Sequence, residues 1–200
     1  MQIWRWGDPV ETVRSLLLDG GVVAIPSESS YGLAADCRNS DGVEAIYRIK
    51  GRDAGKPLPV VAADAAQLVA VGVDSEAPEL RLGESLWPAA LSLVLPLRED
   101  LPAAAGNRTL AARVPAHERL RELLGDIGFP LTATSANVSG EPPVLDPAPL
   151  GPLLAGHRTL VIDDGELPGG APSTLATWPD GQLRVLREGA FPVDRLPQRL

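Results

Sequence analysis

The apolar positions of this chain fall into short clusters, and their spacing alternates between the period of a helix face and that of a strand. Val10, Val13, Leu16 and Leu17 recur at three- and four-residue intervals, which predicts a helix with one buried face. Asp8-Pro9 stands just ahead, an aspartate suited to capping free N–H groups and a proline suited to the first helical position. Gly20-Gly21 closes the segment. Val22-Val23-Ala24-Ile25 is then wholly apolar and reads as a buried strand stopped by Pro26. A polar loop over 27–33 follows, and a second helix is predicted from Asp41, carrying Val43, Ile46, Tyr47 and Ile49, to end near Lys50. This strand–loop–helix order puts a hydroxyl-rich loop at a strand's carboxyl end, the edge at which open α/β sheets bind ligands.

Strands are predicted at 2–6, 58–62, 91–95, 109–114, 131–134, 159–162, 173–176 and 183–186. Asp64 caps a short helix reaching Val69, and another helix spans about 116–124. Residues 141–152 are Pro-rich and read as a surface loop. There is no internal repeat. The pattern predicts an α/β fold, a twisted mixed β-sheet with helices packed on it, as a single domain over residues 1–200.

Composition narrows the function. The 200 residues are 44% hydrophobic, enough for one core, and 20 Gly with 20 Pro suit many tight loops. A formal net charge of −8 argues against general nucleic-acid binding, so an anionic ligand has to be met by a local cluster of cations. Cys37 is the single cysteine, which excludes an internal disulfide and multi-cysteine metal sites. His117 and His157 lie far apart, and no protein-ligated metal is expected. No apolar run approaches ~20 residues and the N-terminus shows no secretory pattern, so no membrane association and a cytoplasmic location are expected.

Only two of the 18 basic residues are lysines, and both fall in Lys50-Gly51-Arg52-Asp53-Ala54-Gly55-Lys56-Pro57. Three cations on a glycine-containing backbone suit a polyphosphate; the same charges also suit a helix C-terminus. The window is not a Walker A loop, because its glycine spacing is one short and Pro57 stands where a magnesium-binding hydroxyl belongs. Thr134-Ser135-Ala136-Asn137-Val138-Ser139-Gly140 offers hydroxyl and amide groups at a strand's end, as a ligand loop or as a self-capped turn. Ser135 lacks a nucleophile elbow. Arg113 and Arg187 are charges in otherwise apolar strands, and an arginine aimed into a cleft clamps carboxylate or phosphate.

Taken in order, these segments resemble the YrdC-like family, which includes threonylcarbamoyl-AMP synthases. The family's P-T-E-T-x-Y-G-L loop corresponds to residues 26–33, its K-x-R to Lys50-Gly51-Arg52, and its W-P-G-P to Trp87-Pro88-Ala89-Ala90. Its R-V-P matches Arg113-Val114-Pro115 and its S-A-N-x-S-G matches 135–140. Its S-T matches Ser173-Thr174, and its L-R-x-G matches 186–189. The match runs over about residues 10–190. It implies a concave ligand cleft and a nucleotidyltransferase that makes threonylcarbamoyl-AMP and pyrophosphate from L-threonine, bicarbonate and ATP, for modification of tRNA adenosine 37. Magnesium would arrive with ATP, and tRNA-modification proteins would be partners. By position, Ser29, Tyr31, Arg113, Ser135 and Ser173 would hold threonine. Lys50, Arg52, Lys56, Thr109, Asn137 and Arg187 would contact ATP, with Lys50 and Arg52 catalytic. Ser27, Asp53, Val61 and Pro172 depart from the family pattern. Two other readings fit the same resemblance: an RNA-binding module, and a paralogue acting on another amino acid or carbamoyl substrate.

Overall fold

The computed structural model describes residues 2–53, 55–138 and 140–200; Ala54 of the cationic window and Ser139 of the 135–140 motif lie outside them. The chain begins with β1 (Gln2–Arg5), α1 (Val10–Leu18), β2 (Val22–Ile25), β3 (Gly32–Ala34) and α2 (Ser40–Lys50). It continues through β4 (Val60–Val61), α3 (Ala65–Ala70), α4 (Pro78–Leu86), β5 (Leu91–Pro96), β6 (Thr109–Arg113) and α5 (Glu118–Ile127). The last part contains β7 (Leu131–Thr132), β8 (Thr134–Ser135), α6 (Leu150–Leu154), β9 (Thr159–Asp163), β10 (Thr174–Thr177) and β11 (Arg184–Arg187).

The expected mixed α/β architecture is present, but as two mixed sheets instead of one. A five-stranded sheet runs β1-β9-β2-β3-β8, and a six-stranded sheet runs β11-β10-β5-β6-β4-β7. The division falls at Ala133. The chain was expected to be extended over 131–134. There β7 pairs with β4 and β8 pairs with β3, while the Ala133 N–H bonds to the Pro59 carbonyl. One apolar run thus serves both sheets.

Two apolar cores form, and each takes side chains from both sheets. β2 is flanked at its edges by parallel β9 and antiparallel β3, and it is buried on both faces because Val23 and Ile25 share one core with Val13 and Leu17 of α1 while Val22 and Ala24 share the other with Val43 and Ile46 of α2. Val13 and Leu17 of α1 meet Leu120, Leu124 and Ile127 of α5 over the five-stranded sheet. The larger core packs Val43, Ile46 and Ile49 of α2 with Leu91, Leu93 and Leu95 of β5.

Several local expectations shift for identifiable reasons. Asp8 does not cap α1; its carboxylate accepts the Arg5 N–H at 2.8 Å and closes the turn after β1, and Pro9 takes the N-cap position. α2 begins at Ser40, one residue before the expected Asp41, because Asn39 caps it by accepting the N–H groups of Asp41 and Gly42. The loop expected over 27–33 ends in a strand, since Gly32 and Leu33 pair with Ile25 and Ala24. α4 was not foreseen, although Pro78 in its first turn and buried Leu80 and Gly83 suit it. No helix among the described residues is long and apolar enough to cross a membrane.

Candidate active site

A cavity of about 410 Å³ opens between the two sheets. Its walls follow from strand register. In the six-stranded sheet, Arg187 of β11 pairs with Leu175 of β10, Leu175 with Ser92 of β5, and Arg113 of β6 with Val61 of β4. Ser92 and Arg113 continue the β5–β6 ladder by one residue beyond Leu93 and Ala112. Aligned neighbours share a face, so these five residues form one transverse row, and all five line the cavity. In the five-stranded sheet Ile25 pairs with Gly32, and Gly32 with Ser135, giving the opposing row. Gly32 suits that row, because a Cβ there would lie 3.2 Å from the Thr134 carbonyl oxygen.

Six of the eleven residues singled out from the sequence line this cavity: Ser29, Tyr31, Arg113, Ser135, Ser173 and Arg187. Arg113 is held from behind. Its Nη1 donates to Glu28 Oε2 at 2.8 Å, and the other oxygen of Glu28 accepts the Ala116 N–H. Burial pushes the Glu28 carboxyl up, but the Arg113 charge and the hydrogen bonds outweigh it and leave the group below its ordinary value. Arg187 donates through Nε to the Ser173 carbonyl at 3.0 Å and through Nη2 to Ser173 Oγ at 3.1 Å. Ser173 Oγ in turn lies 2.9 Å from Ser92 Oγ. Burial, then the charge of Arg113, pulls the Arg187 guanidinium down, as expected of two cations facing one space.

Tyr31 is fully buried and ties loops together. Its hydroxyl donates to the Gly165 carbonyl at 2.8 Å and accepts the Asp164 N–H at 3.1 Å. The Asp164 carboxylate takes the Trp6 indole N–H at 2.6 Å and meets His117 Nε2 at 3.0 Å. His117 Nδ1 accepts the Leu120 N–H at 3.2 Å, so Nε2 carries the ring proton and the residue caps α5.

The remaining five residues are placed differently. Lys50 is 4% exposed, and its Nζ donates to the carbonyls of Ser135 at 2.6 Å and Asn137 at 2.9 Å and to Asn137 Oδ1 at 2.9 Å. Those acceptors match the three N–H groups of an ammonium. Burial, then the Arg52 charge, pulls its pKa down to about 8. Asn137 Oδ1 also accepts Ser135 Oγ at 2.6 Å, and its Nδ2 donates to the Glu141 carbonyl. Arg52 turns back onto its own loop, with Nη2 at 3.2 Å from the Pro57 carbonyl and 3.4 Å from that of Lys56. Arg52 Nε is buried without a hydrogen-bond partner among the described residues. Lys56 is exposed. Thr109 is exposed at the far end of β6, about 13 Å along the strand from Arg113. It is not brought to the cavity.

Two residues escaped the sequence reading: Ser92, which lines the cavity, and Glu28, which holds Arg113 without lining it. Glu28 lay inside a quoted motif, but its partner is 85 positions away. Ser92 is a lone hydroxyl in an apolar run, and strand parity with register was the signal that could have found it.

The wall offers guanidinium and hydroxyl groups. Its lining includes no carboxylate, and no cluster of three or more His, Cys, Asp or Glu among the described residues could hold a metal ion. These residues do not make a magnesium site.

A family model described as "Telomere recombination", Sua5/YciO/YrdC, matches residues 15–189. A threonylcarbamoyl-AMP synthase of Bacillus subtilis (strain 168) is 34% identical over 193 residues, 94% of this chain and 56% of that protein. One of Thiobacillus denitrificans is 35% identical over 174 residues, 86% of this chain and 92% of that protein. Among solved structures, P. abyssi Sua5 complexed with L-threonine superposes with a TM-score of 0.83 at 31% identity, covering 96% of this chain and 58% of that one. The chain spans about half the length of the first of these relatives.

Proposed function

Because the chain belongs to the Sua5/YciO/YrdC family, we propose that it forms threonylcarbamoyl-AMP and pyrophosphate from L-threonine, bicarbonate and ATP. The observation that carries this reading is the cavity that gathers Arg113 with the hydroxyls of Ser29, Ser92, Ser135 and Ser173. A guanidinium with several hydroxyls suits a small hydroxyamino acid: Arg113 takes the carboxylate, and a serine hydroxyl takes the side-chain hydroxyl.

The chemistry asks for alignment more than for a nucleophile. The threonine amine captures the carbon of bicarbonate, and water leaves. An oxygen of the resulting carbamate attacks the α-phosphorus of ATP, and pyrophosphate leaves. Two anions must be brought together and the growing negative charge on phosphate offset. Arg187, at the other end of the wall row, would meet the nucleotide side. Lys50 and Arg52 would supply further positive charge next to Ser135 and Asn137, and Lys56 would reach the phosphates from the loop. Thr109, distant from the cavity, would contact ATP only beyond the wall row. Magnesium would enter on the ATP phosphates, with no protein ligands. The product would feed threonylcarbamoylation of tRNA adenosine 37 through partner proteins.

The test is pyrophosphate release from ATP and bicarbonate with and without L-threonine. Release that requires threonine is expected. Release driven by a different amino acid, or none with any, would overturn the assignment.

A further inference from the structure

We propose that Glu28 is a positioning residue for substrate recognition: its carboxylate aims the Arg113 guanidinium into the cavity and trims the cavity's positive charge to suit a single carboxylate. The inference rests on the proposed use of Arg113 as the clamp for the amino acid.

Three observations support it. First, the Glu28 carboxylate is fixed at both oxygens, one by Arg113 Nη1 at 2.8 Å and the other by the Ala116 N–H just beyond β6. It cannot turn without losing a bond, so it holds Arg113 from a fixed direction. Second, the pair is sheltered, with side-chain exposures of 13% for Arg113 and 21% for Glu28, so the attraction is less screened than on open surface. Third, a guanidinium has five N–H donors in a rigid fork, and Glu28 engages only the Nη1 end. Among the described residues the rest of the fork has no other hydrogen-bond partner, so it can meet a carboxylate side-on.

Charge follows from the same geometry. The cavity wall carries two cations, Arg113 and Arg187. With Glu28 ionised against Arg113, one uncompensated positive charge remains, that of Arg187 on the nucleotide side, so the Arg113 fork offers its hydrogen bonds to one carboxylate with no surplus charge to draw a second. Without Glu28 the wall would carry two, and a dicarboxylate would gain. Glu28 therefore contributes to selectivity without touching the substrate.

The experiment compares wild type with Glu28→Gln and Glu28→Asp. Readouts are kinetics with threonine and ATP, threonine binding by calorimetry without ATP, competition by L-aspartate, and urea unfolding as a fold control. Glu28→Gln keeps the shape and removes the charge. Its KM and Kd for threonine should rise roughly tenfold, with kcat and the ATP KM changing by less than about threefold. The preference for threonine over aspartate should fall, and Glu28→Asp should recover part of it. A purely structural role would lower stability and leave that preference alone. An unchanged threonine KM in Glu28→Gln, or equal weakening of threonine and aspartate, overturns the proposal while the enzymatic reading stands. Binding of threonine that depends on Glu28, with no threonine-dependent pyrophosphate release by wild type, overturns the enzymatic reading while the Glu28 role stands. No threonine binding by wild type overturns both.

Discussion

Two regions at this site are built in opposite ways. The strand-end wall presents its groups to the cavity, each backed by protein: Arg113 by Glu28, Arg187 by Ser173, Ser173 by Ser92. The segment from Lys50 to Pro57 turns two of its three cations onto the chain itself. Lys50 bonds to the 135–137 turn, and Arg52 bonds to carbonyls of its own loop. The wall is organised before any ligand arrives, so it owes little reorganisation on binding. The loop would have to exchange protein acceptors for phosphate oxygens. Under the proposed function, the amino-acid side would stand ready while the nucleotide side would be completed by the nucleotide.

Removing the wall's clamp should have the largest effect. Arg113→Ala takes away a sheltered charged donor worth roughly 3 kcal/mol and leaves Glu28 unpaired, so threonine-dependent turnover should fall on the order of 100-fold. The ATP KM should change little; steady-state kinetics in both substrates check this. Equal losses for both substrates would break the division into two regions.

Gly189 tests the wall's rigidity from behind. A Cβ there would lie 2.1 Å from the Pro172 carbonyl oxygen and 2.6 Å from the Ser173 carbonyl carbon. Gly189→Ala should displace the backbone that presents Ser173, cost about 2 kcal/mol in urea unfolding and raise the threonine KM. A normal KM in a destabilised protein would mean that the wall tolerates movement.

The smallest effect concerns Lys50 and pH. Its ordinary value of 10.5 is pulled down to about 8 in the fold. Between those values the unfolded chain binds more protons than the folded one, so stability from this residue rises with pH over that window. Below pH 8 both states are protonated and the burial cost is present in full. Compared with Lys50→Met, which shares every other titrating group, wild type should gain stability on the order of 1 kcal/mol from pH 8 to pH 10.5, allowing for solvent screening. Urea unfolding at both values checks the sign. A flat difference would mean that the three carbonyl acceptors keep the ammonium charged throughout.

Periodicity and composition revealed the element types well: β2, β5, β9 and both long amphipathic helices, α2 and α5, lie where apolar spacing put them. The division into two sheets was hidden, because whether 131–134 pairs with one neighbour or two depends on strands from elsewhere in the chain. At the site, loops rich in hydroxyls and lone strand arginines were conspicuous, so Ser29, Ser135, Arg113 and Arg187 could be singled out. Their partners could not. The direction in which Lys50 points is set by carbonyls 85 and 87 positions away. Thr109 and Arg113 share a strand, yet only register and strand length tell which end meets the cavity.

The wall row also acts as a ruler. From Arg187 on β11 to Val61 on β4 it crosses four interstrand gaps of about 4.8 Å, so its span is about 19 Å. Hydrogen-bonded backbones set that length, and side-chain exchange leaves it unchanged. Replacing a residue in the row therefore alters which chemical group is met at a given mark while the separation between marks stays constant. Substrates of altered polarity could be accommodated by single substitutions, whereas a reaction partner of markedly different reach would require a strand to be added or lost.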